Sequence, residues 1–161
     1  MKYETIIDGV LLVDKAPGMT SHDVVAITRR VLNTRKVGHC GTLDPLATGL
    51  LIITIGRGTK IQDLLMSEDK EYVGTIRLGQ STTSQDADGT VLEEKPVPEV
   101  TRGKLDEIFA GFHGDFYQTP PMVSAIKKDG VPLYKLARQG KTVEREPRLV
   151  HIYGHEILNV A

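Results

Sequence analysis

The sequence predicts a single α+β domain over residues 1–161, in which a mixed, mostly antiparallel sheet carries flanking helices. Three observations predict it. Short apolar runs rich in β-branched residues recur between turns marked by glycine and proline. Stretches with apolar residues at helical spacing alternate with those runs. No internal repeat, low-complexity tract or linker divides the 161 residues.

Residues 9–15 (GVLLVDK) are a short apolar run closed by Ala-Pro-Gly, the pattern of a strand ending in a turn. Thr20-Ser21 then precedes HDVVAITRRVLN, where Val24, Val25, Ile27, Val31 and Leu32 fall near helical spacing, so a first helix is expected. Residues 35–42 read as a glycine-bearing loop. Residues 49–56 (GLLIITIG) are continuously apolar, as in a strand buried on both faces, and 59–66 reads as helix. Residues 71–78 (EYVGTIRL) alternate as a strand does, and the polar GQSTTSQDADG is a long turn before a strand at 90–92. A helix is expected over 98–109 with Leu105 and Ile108 inward. Pro120-Pro121 forbids helix in the mixed stretch 111–128. Residues 131–139 read as a short amphipathic helix ended by Gly140, and 148–160 as a strand. That strand would leave a sheet edge, which natural proteins pair or cover, so more of the domain is expected to follow it.

Composition narrows the class. At 40% hydrophobic residues the chain can bury an ordinary core, and it has no run near the roughly 18 apolar residues of a membrane span. The charged start MKYETIID lacks a signal-peptide core, so a soluble, cytoplasmic protein is expected. Cys40 is the single cysteine and cannot form an internal disulfide. The net charge is -1, yet the charge is segregated. Residues 26–39 hold four basic side chains (Arg29, Arg30, Arg35, Lys36) and no acid. Residues 120–150 hold seven basic residues against three acids, whereas 81–108 hold seven acids against three basic residues. Such segregation is either a phosphate footprint or the solvated faces of amphipathic segments.

One acid stands out in HCGTLDPLATGLLI. Asp44 followed by Pro45 makes a good helix start, with aspartate as cap and proline first in the helix, and on spacing alone that reading stands ahead. The alternative is functional. Gly38, Gly41 and Gly49 allow close backbone approach to a ligand, while the strand behind holds one carboxylate at a cleft as nucleophile or base. His39 precedes Asp44 by five residues across a turn and could face the same cleft. Tyr72 is either strand packing or an aromatic face for an unpaired base. Other patterns fail: GRGTK lacks phosphate-loop spacing, His151 and His155 lack a third ligand, and Asp86 with Asp88 lack the calcium-loop pattern. No metal is implied.

Four segments, GVLLVDKAPGMTSHDVV, KVGHCGTLDPLATGLLIITIGRGTK, DKEYVGTIRLGQSTTSQDADG and QTPPMVSAIKKDGVPLYKLARQGKTVERE, together resemble the tRNA pseudouridine synthase B (TruB) family, in family order over nearly the whole chain. The resemblance implies a mixed sheet with a central cleft and an isomerase that converts the T-loop uridine of tRNA to pseudouridine. It implies Asp44 as the catalytic aspartate, Tyr72 as the ring that stacks on the target base and His39 as the residue inserted when bases flip out. It implies RNA contacts at Asp86, Lys15 and Lys127 and along the basic segment that holds Arg138, Arg145 and Arg148. No cofactor is implied, because the detached uracil carries the electrons. Cys40 departs from the small hydroxyl residue usual in the family. The family also has a later segment with an arginine that pairs with the aspartate, and usually a C-terminal RNA-binding module. The expectation is therefore the N-terminal portion of a catalytic domain, monomeric or paired with a chain carrying the remainder. Its partner would be free tRNA rather than a guide complex. The competing reading is a non-catalytic RNA-binding or RNA-folding module, or an inactive fragment, in which Asp44 only caps a helix.

Overall fold

The computed structural model describes residues 7–124 and 126–160. Its backbone gathers into two units, Met1–Val73 and Gly74–Ala161.

The first unit is built on three antiparallel strands in the order β1, β3, β2: β1 (Gly9–Lys15), β2 (Val37–Cys40) and β3 (Gly49–Ile55). Directly opposed residues share a face. Val13 with Leu51, Leu11 with Ile53 and His39, and Val37 with Ile55 therefore form rows on one side of the sheet. Helix α1 (Ser21–Val31) packs there through Val24 and Val25, enclosing Leu51, Ile53 and Ile55. Each fully buried aliphatic side chain of this cluster contributes roughly 1.5–3 kcal/mol. The helix starts where Thr20 Oγ1 accepts from Asp23 N at 3.1 Å and Asp23 Oδ2 accepts from Thr20 N at 2.8 Å, a reciprocal cap. Thr28 is tolerated in the core because its hydroxyl donates to Val24 O at 2.8 Å. On the other side of the sheet, a 3-10 turn (Gly56–Ile61) and α2 (Gln62–Met66) bring Gln62 over Gly38. A Cβ at Gly38 would meet Gln62 Oε1, so a larger residue there has to displace the Gln62 side chain.

The second unit has little buried apolar surface among the described residues, with Leu133 its one fully enclosed hydrophobic side chain. Strands β4 (Gln80–Thr82) and β5 (Val91–Glu94) pair across the polar turn with a bulge between Ser81 and Thr82. Helix α3 (Arg102–Ala110) is capped by Thr101, and β6 (Gly114–Gln118) pairs with β9 (Arg148–Ile152). Between them lies a small hairpin, β7 (Lys127–Lys128) and β8 (Val131–Pro132), followed by α4 (Leu133–Arg138). Asp129 and Gly130 join the hairpin with φ of 51° and 80°, the two left-handed residues that a tight two-residue turn requires.

The α+β class is borne out, with every strand pair among the described residues antiparallel. Several expectations change; Ile108, expected inward on α3, and Leu50, in a run expected to be buried on both faces, are exposed. The glycine-bearing loop at 35–42 contains β2, because Val37 supplies a core anchor and β3 an edge to pair with. Residues 71–78 form no strand. Their Tyr72, Val73, Ile76 and Leu78 side chains are exposed, and no described strand offers them a partner ladder. The helix expected over 59–66 is a 3-10 turn followed by five α-helical residues. The terminal strand stops at Ile152, where pairing with β6 runs out at Gly114.

Candidate active site

Asp44 sits at the first position of a reverse turn, with Ala47 N donating to Asp44 O at 3.0 Å and Pro45 preset for the turn's second position. No helix begins there, so the helix-cap reading of Asp44-Pro45 is overturned. The proline instead serves a turn whose fourth residue bonds to the aspartate's backbone, not to its carboxylate. That side chain is exposed and makes no hydrogen bond or ion pair with a described residue. It stands on an open turn rather than at the floor of an enclosed cleft.

Its neighbours are held tightly. Ser21, the buried first residue of α1, clasps Leu43 both ways: its Oγ donates to Leu43 O at 3.2 Å and accepts from Leu43 N at 2.9 Å. On the other flank Pro45 O accepts from Gly18 N at 2.8 Å and from Lys15 Nζ at 3.3 Å. Lys15 Nζ also donates to Ala16 O at 3.1 Å and Met19 O at 2.9 Å, so three carbonyls meet the three donors of one ammonium. The loop between β2 and β3 enters through Gly41 at φ 93° and leaves through Gly49 at φ 110°, both left-handed. The turn is thus fixed through its backbone while the carboxylate stays uncommitted.

Lys15 is the clearest departure from expectation. It has no solvent exposure, so the expectation of a direct RNA contact fails for it. The strand period explains why: Leu11, Val13 and Lys15 lie on the side of β1 that packs against α1, and the long side chain ends among loop carbonyls. His39 lies in β2 opposite Ile53 and is partly buried. Its Nδ1 is 2.5 Å from Gly41 O. A carbonyl only accepts, so that nitrogen carries the proton and Nε2 is left as the acceptor of the neutral ring. Gln62 Nε2 donates to His39 O at 2.8 Å, anchoring the same residue by its backbone. Tyr72 is 71% exposed and makes no hydrogen bond or ring contact with a described residue, so nothing ties it to Asp44.

In the second unit, Lys127, Arg145 and Arg148 line one open cleft of about 560 Å³ together with Lys128, Glu144 and Glu146. Arg145 Nε is buried without a hydrogen-bond partner among the described residues. Arg138 stands apart at the end of α4, its guanidinium 5.4 Å from the centre of the Tyr134 ring. Asp86 shapes its own turn: Oδ1 accepts from Asp88 N at 3.0 Å and from Ser84 Oγ, and its carbonyl accepts from Thr82 Oγ1 at 2.8 Å. Among the described residues no group of three or more His, Cys, Asp or Glu gathers to hold a metal. No helix among them is long and apolar enough to cross a membrane. The sequence pattern did not reveal the supports, Ser21, Gly18 and the buried role of Lys15. The alternation Leu11, Val13, Lys15 was the available signal for the last.

The chain matches the family model described as TruB family pseudouridylate synthase (N terminal domain) over residues 29–161. It is 59% identical over 155 residues to a tRNA pseudouridine synthase B of Opitutus terrae, covering 96% of this chain and 64% of that protein. It is 50% identical over 153 residues to one from Azoarcus sp., covering 95% and 51%. The chain thus spans about half to two thirds of the length of these relatives. Among solved structures it is similar to one chain of a Cbf5-Nop10-Gar1 complex, with a TM-score of 0.59 and 25% identity over 95% of this chain and 36% of that one. It is also similar to a chain of an archaeal box H/ACA sRNP Nop10-Cbf5 complex, with a TM-score of 0.52 and 33% identity over 71% of this chain and 31% of that one.

Proposed function

This chain belongs to the TruB family of pseudouridylate synthases, and from that premise we propose that it supplies the N-terminal portion of a catalytic domain that isomerises the T-loop uridine of tRNA. The observation that carries the reading is the Asp44 carboxylate, exposed and uncommitted on a turn pinned at Leu43 and Pro45. Asp44 captures or stabilises the sugar's anomeric carbon as the bond to uracil N1 breaks, its electron pair leaving with the base. The base turns and C5 bonds to that carbon. The C5 proton is lost, N1 regains one, and the sum is an isomerisation. A uracil that leaves as an anion needs no second carboxylic acid to protonate it, unlike the alcohol leaving group of an ordinary glycosidase.

A stacked base cannot be reached, so the uridine must be extruded, at on the order of a few kcal/mol. Tyr72, exposed and unpartnered among the described residues, stacks on that base. His39 enters the space the base vacates. Lys127, Arg145 and Arg148 around their cleft, with Arg138 and Asp86, contact the RNA, which is free tRNA presented to a monomer in the cytoplasm. The reading in which Asp44 merely caps a helix has lost its helix. The test is incubation of the protein whose N-terminal portion this chain supplies with an unmodified T-arm stem-loop, followed by mapping of pseudouridine. Formation at the T-loop uridine is expected, and modification elsewhere or none would defeat the proposal.

A further inference from the structure

At the end of the β1, β3, β2 sheet away from the Asp44 turn is a feature that the reaction leaves unused. Arg29, Arg30, Arg35, Lys36 and Arg57 line an open cleft of about 890 Å³ in which Asp8 is the one acid among the described residues, five positive charges against one negative. Two of the five are spoken for. Arg29 Nη2 donates to Val37 O at 2.9 Å, and Arg57 Nε pairs with Asp8 Oδ2 at 2.6 Å. The side chains of Arg30 and Arg35 have no hydrogen-bond or ion-pair partner among the described residues, while Lys36 makes no close ion pair but lies near enough to Asp8 to add to the lowering of that carboxyl's pKa by the Arg57 hydrogen bonds.

The ordinary explanation for basic residues here is the carbonyl end of α1, whose partial negative charge favours cations. That accounts for Arg29 and Arg30, which stand in its last turn. It does not account for Arg35 and Lys36 just before β2, or for Arg57 from the 3-10 turn, which converge on the same cleft. Like charges gathered from three elements repel one another, and an anion relieves that repulsion. A compact phosphate ligand is usually held by the backbone N–H groups of a helix start. Here the helix presents its C-terminal end, and the anion would be met by long, mobile side chains on an open surface. That is the chemistry of contact with a nucleic-acid backbone.

We propose that this cleft holds phosphate groups of an RNA strand at a place separate from the reaction. Asp44 follows β2 and precedes Gly49, whereas the cleft lies at the Ile55 end of β3. Six strand steps of roughly 3.3 Å put about 20 Å between the two ends. The proposal rests on the RNA-directed reading above and adds where the flank of that substrate is held.

The test measures binding of an unmodified T-arm stem-loop across a salt series, for the unaltered chain and for the triple variant Arg30→Gln, Arg35→Gln, Lys36→Gln. Neutralising one cation that meets a duplex phosphate makes the slope of log affinity against log salt shallower by roughly 0.9, so a change of about 2 to 3 is expected, with at least about tenfold weaker binding at low salt. The charge-keeping variant Arg30→Lys, Arg35→Lys should retain the slope. Should the triple variant melt early, Arg35→Gln alone, shallower by about 1, decides the matter. An unchanged slope in a folded triple variant, with the unaltered chain binding normally, overturns the contact and leaves the RNA reading standing. Absence of salt-dependent binding by the unaltered chain overturns both. Saturable binding of inorganic pyrophosphate that the triple variant loses, with the RNA slope unchanged, overturns the strand contact in favour of a small phosphate ligand.

Discussion

Lys15 Nζ, wholly buried, donates at 3.3 Å to the carbonyl of Pro45, the residue next to Asp44. A buried ammonium with no carboxylate partner is costly unless its donors are met, and here three carbonyls meet them. The cation is spent on placing the aspartate, not on touching RNA.

Replacing that cation tests the support. Lys15→Met keeps the aliphatic stem but leaves Ala16 O and Met19 O without the donor they share, at a cost of about 2–3 kcal/mol. Urea unfolding measures it. A cost below about 0.5 kcal/mol would show that the clamp is unimportant.

The opposite flank gives an independent check. Ser21→Ala removes both bonds to Leu43 without changing the helix start at Thr20. A loss of about 1–2 kcal/mol is expected, with turnover reduced further than stability because the carboxylate is no longer fixed. Equal turnover would mean that the loop holds its shape unaided.

Tyr72 makes the converse prediction. Its exposed ring has no described partner, so Tyr72→Leu should leave the melting temperature unchanged. Loss of one stacked base costs about 1–3 kcal/mol, or about 5- to 150-fold in affinity for the stem-loop. A lowered melting temperature with unaltered binding would assign the ring to packing.

Cys40 reports on the sheet beside the site. Burial, with Asp63 adding to it, pushes its thiol above the ordinary value of 9.0. The unfolded chain therefore releases this proton first as pH rises. The thiol's contribution to stability is intact below that value and declines above it. Alkylation at about pH 8.5 should be slower in the native chain than in urea, since only the thiolate reacts. Equal rates would contradict the burial of β2's last residue.

How much of this was legible in the sequence depends on where each residue's partners lie. The strand at β1, the start of α1 and the run of β3 were readable because their patterns are local: an apolar run, Thr20-Ser21 ahead of apolar residues at helical spacing, a β-branched stretch. Strand β2 was not, since Gly38 and Gly41 look like loop, and the partner strand β3 and the Gln62 side chain over Gly38 lie farther along the chain. Residues 71–78 have the alternation of a strand, but a strand needs a partner ladder and alternation cannot supply one. At the site, Asp44 was visible as a lone acid among glycines. Its turn was not, because Asp-Pro opens helices and turns alike, and the bonds that decide between them come from Lys15, Gly18 and Ser21.

The proposed function depends above all on the Asp44 carboxylate doing chemistry and no structural work. Asp44→Asn, assayed for pseudouridine formation on a T-arm stem-loop alongside a thermal melt, separates the two roles. Turnover should fall to background with melting temperature and stem-loop affinity unchanged. Retained turnover, or a fall in stability of about 1 kcal/mol such as the loss of a helix cap produces, would contradict the catalytic role.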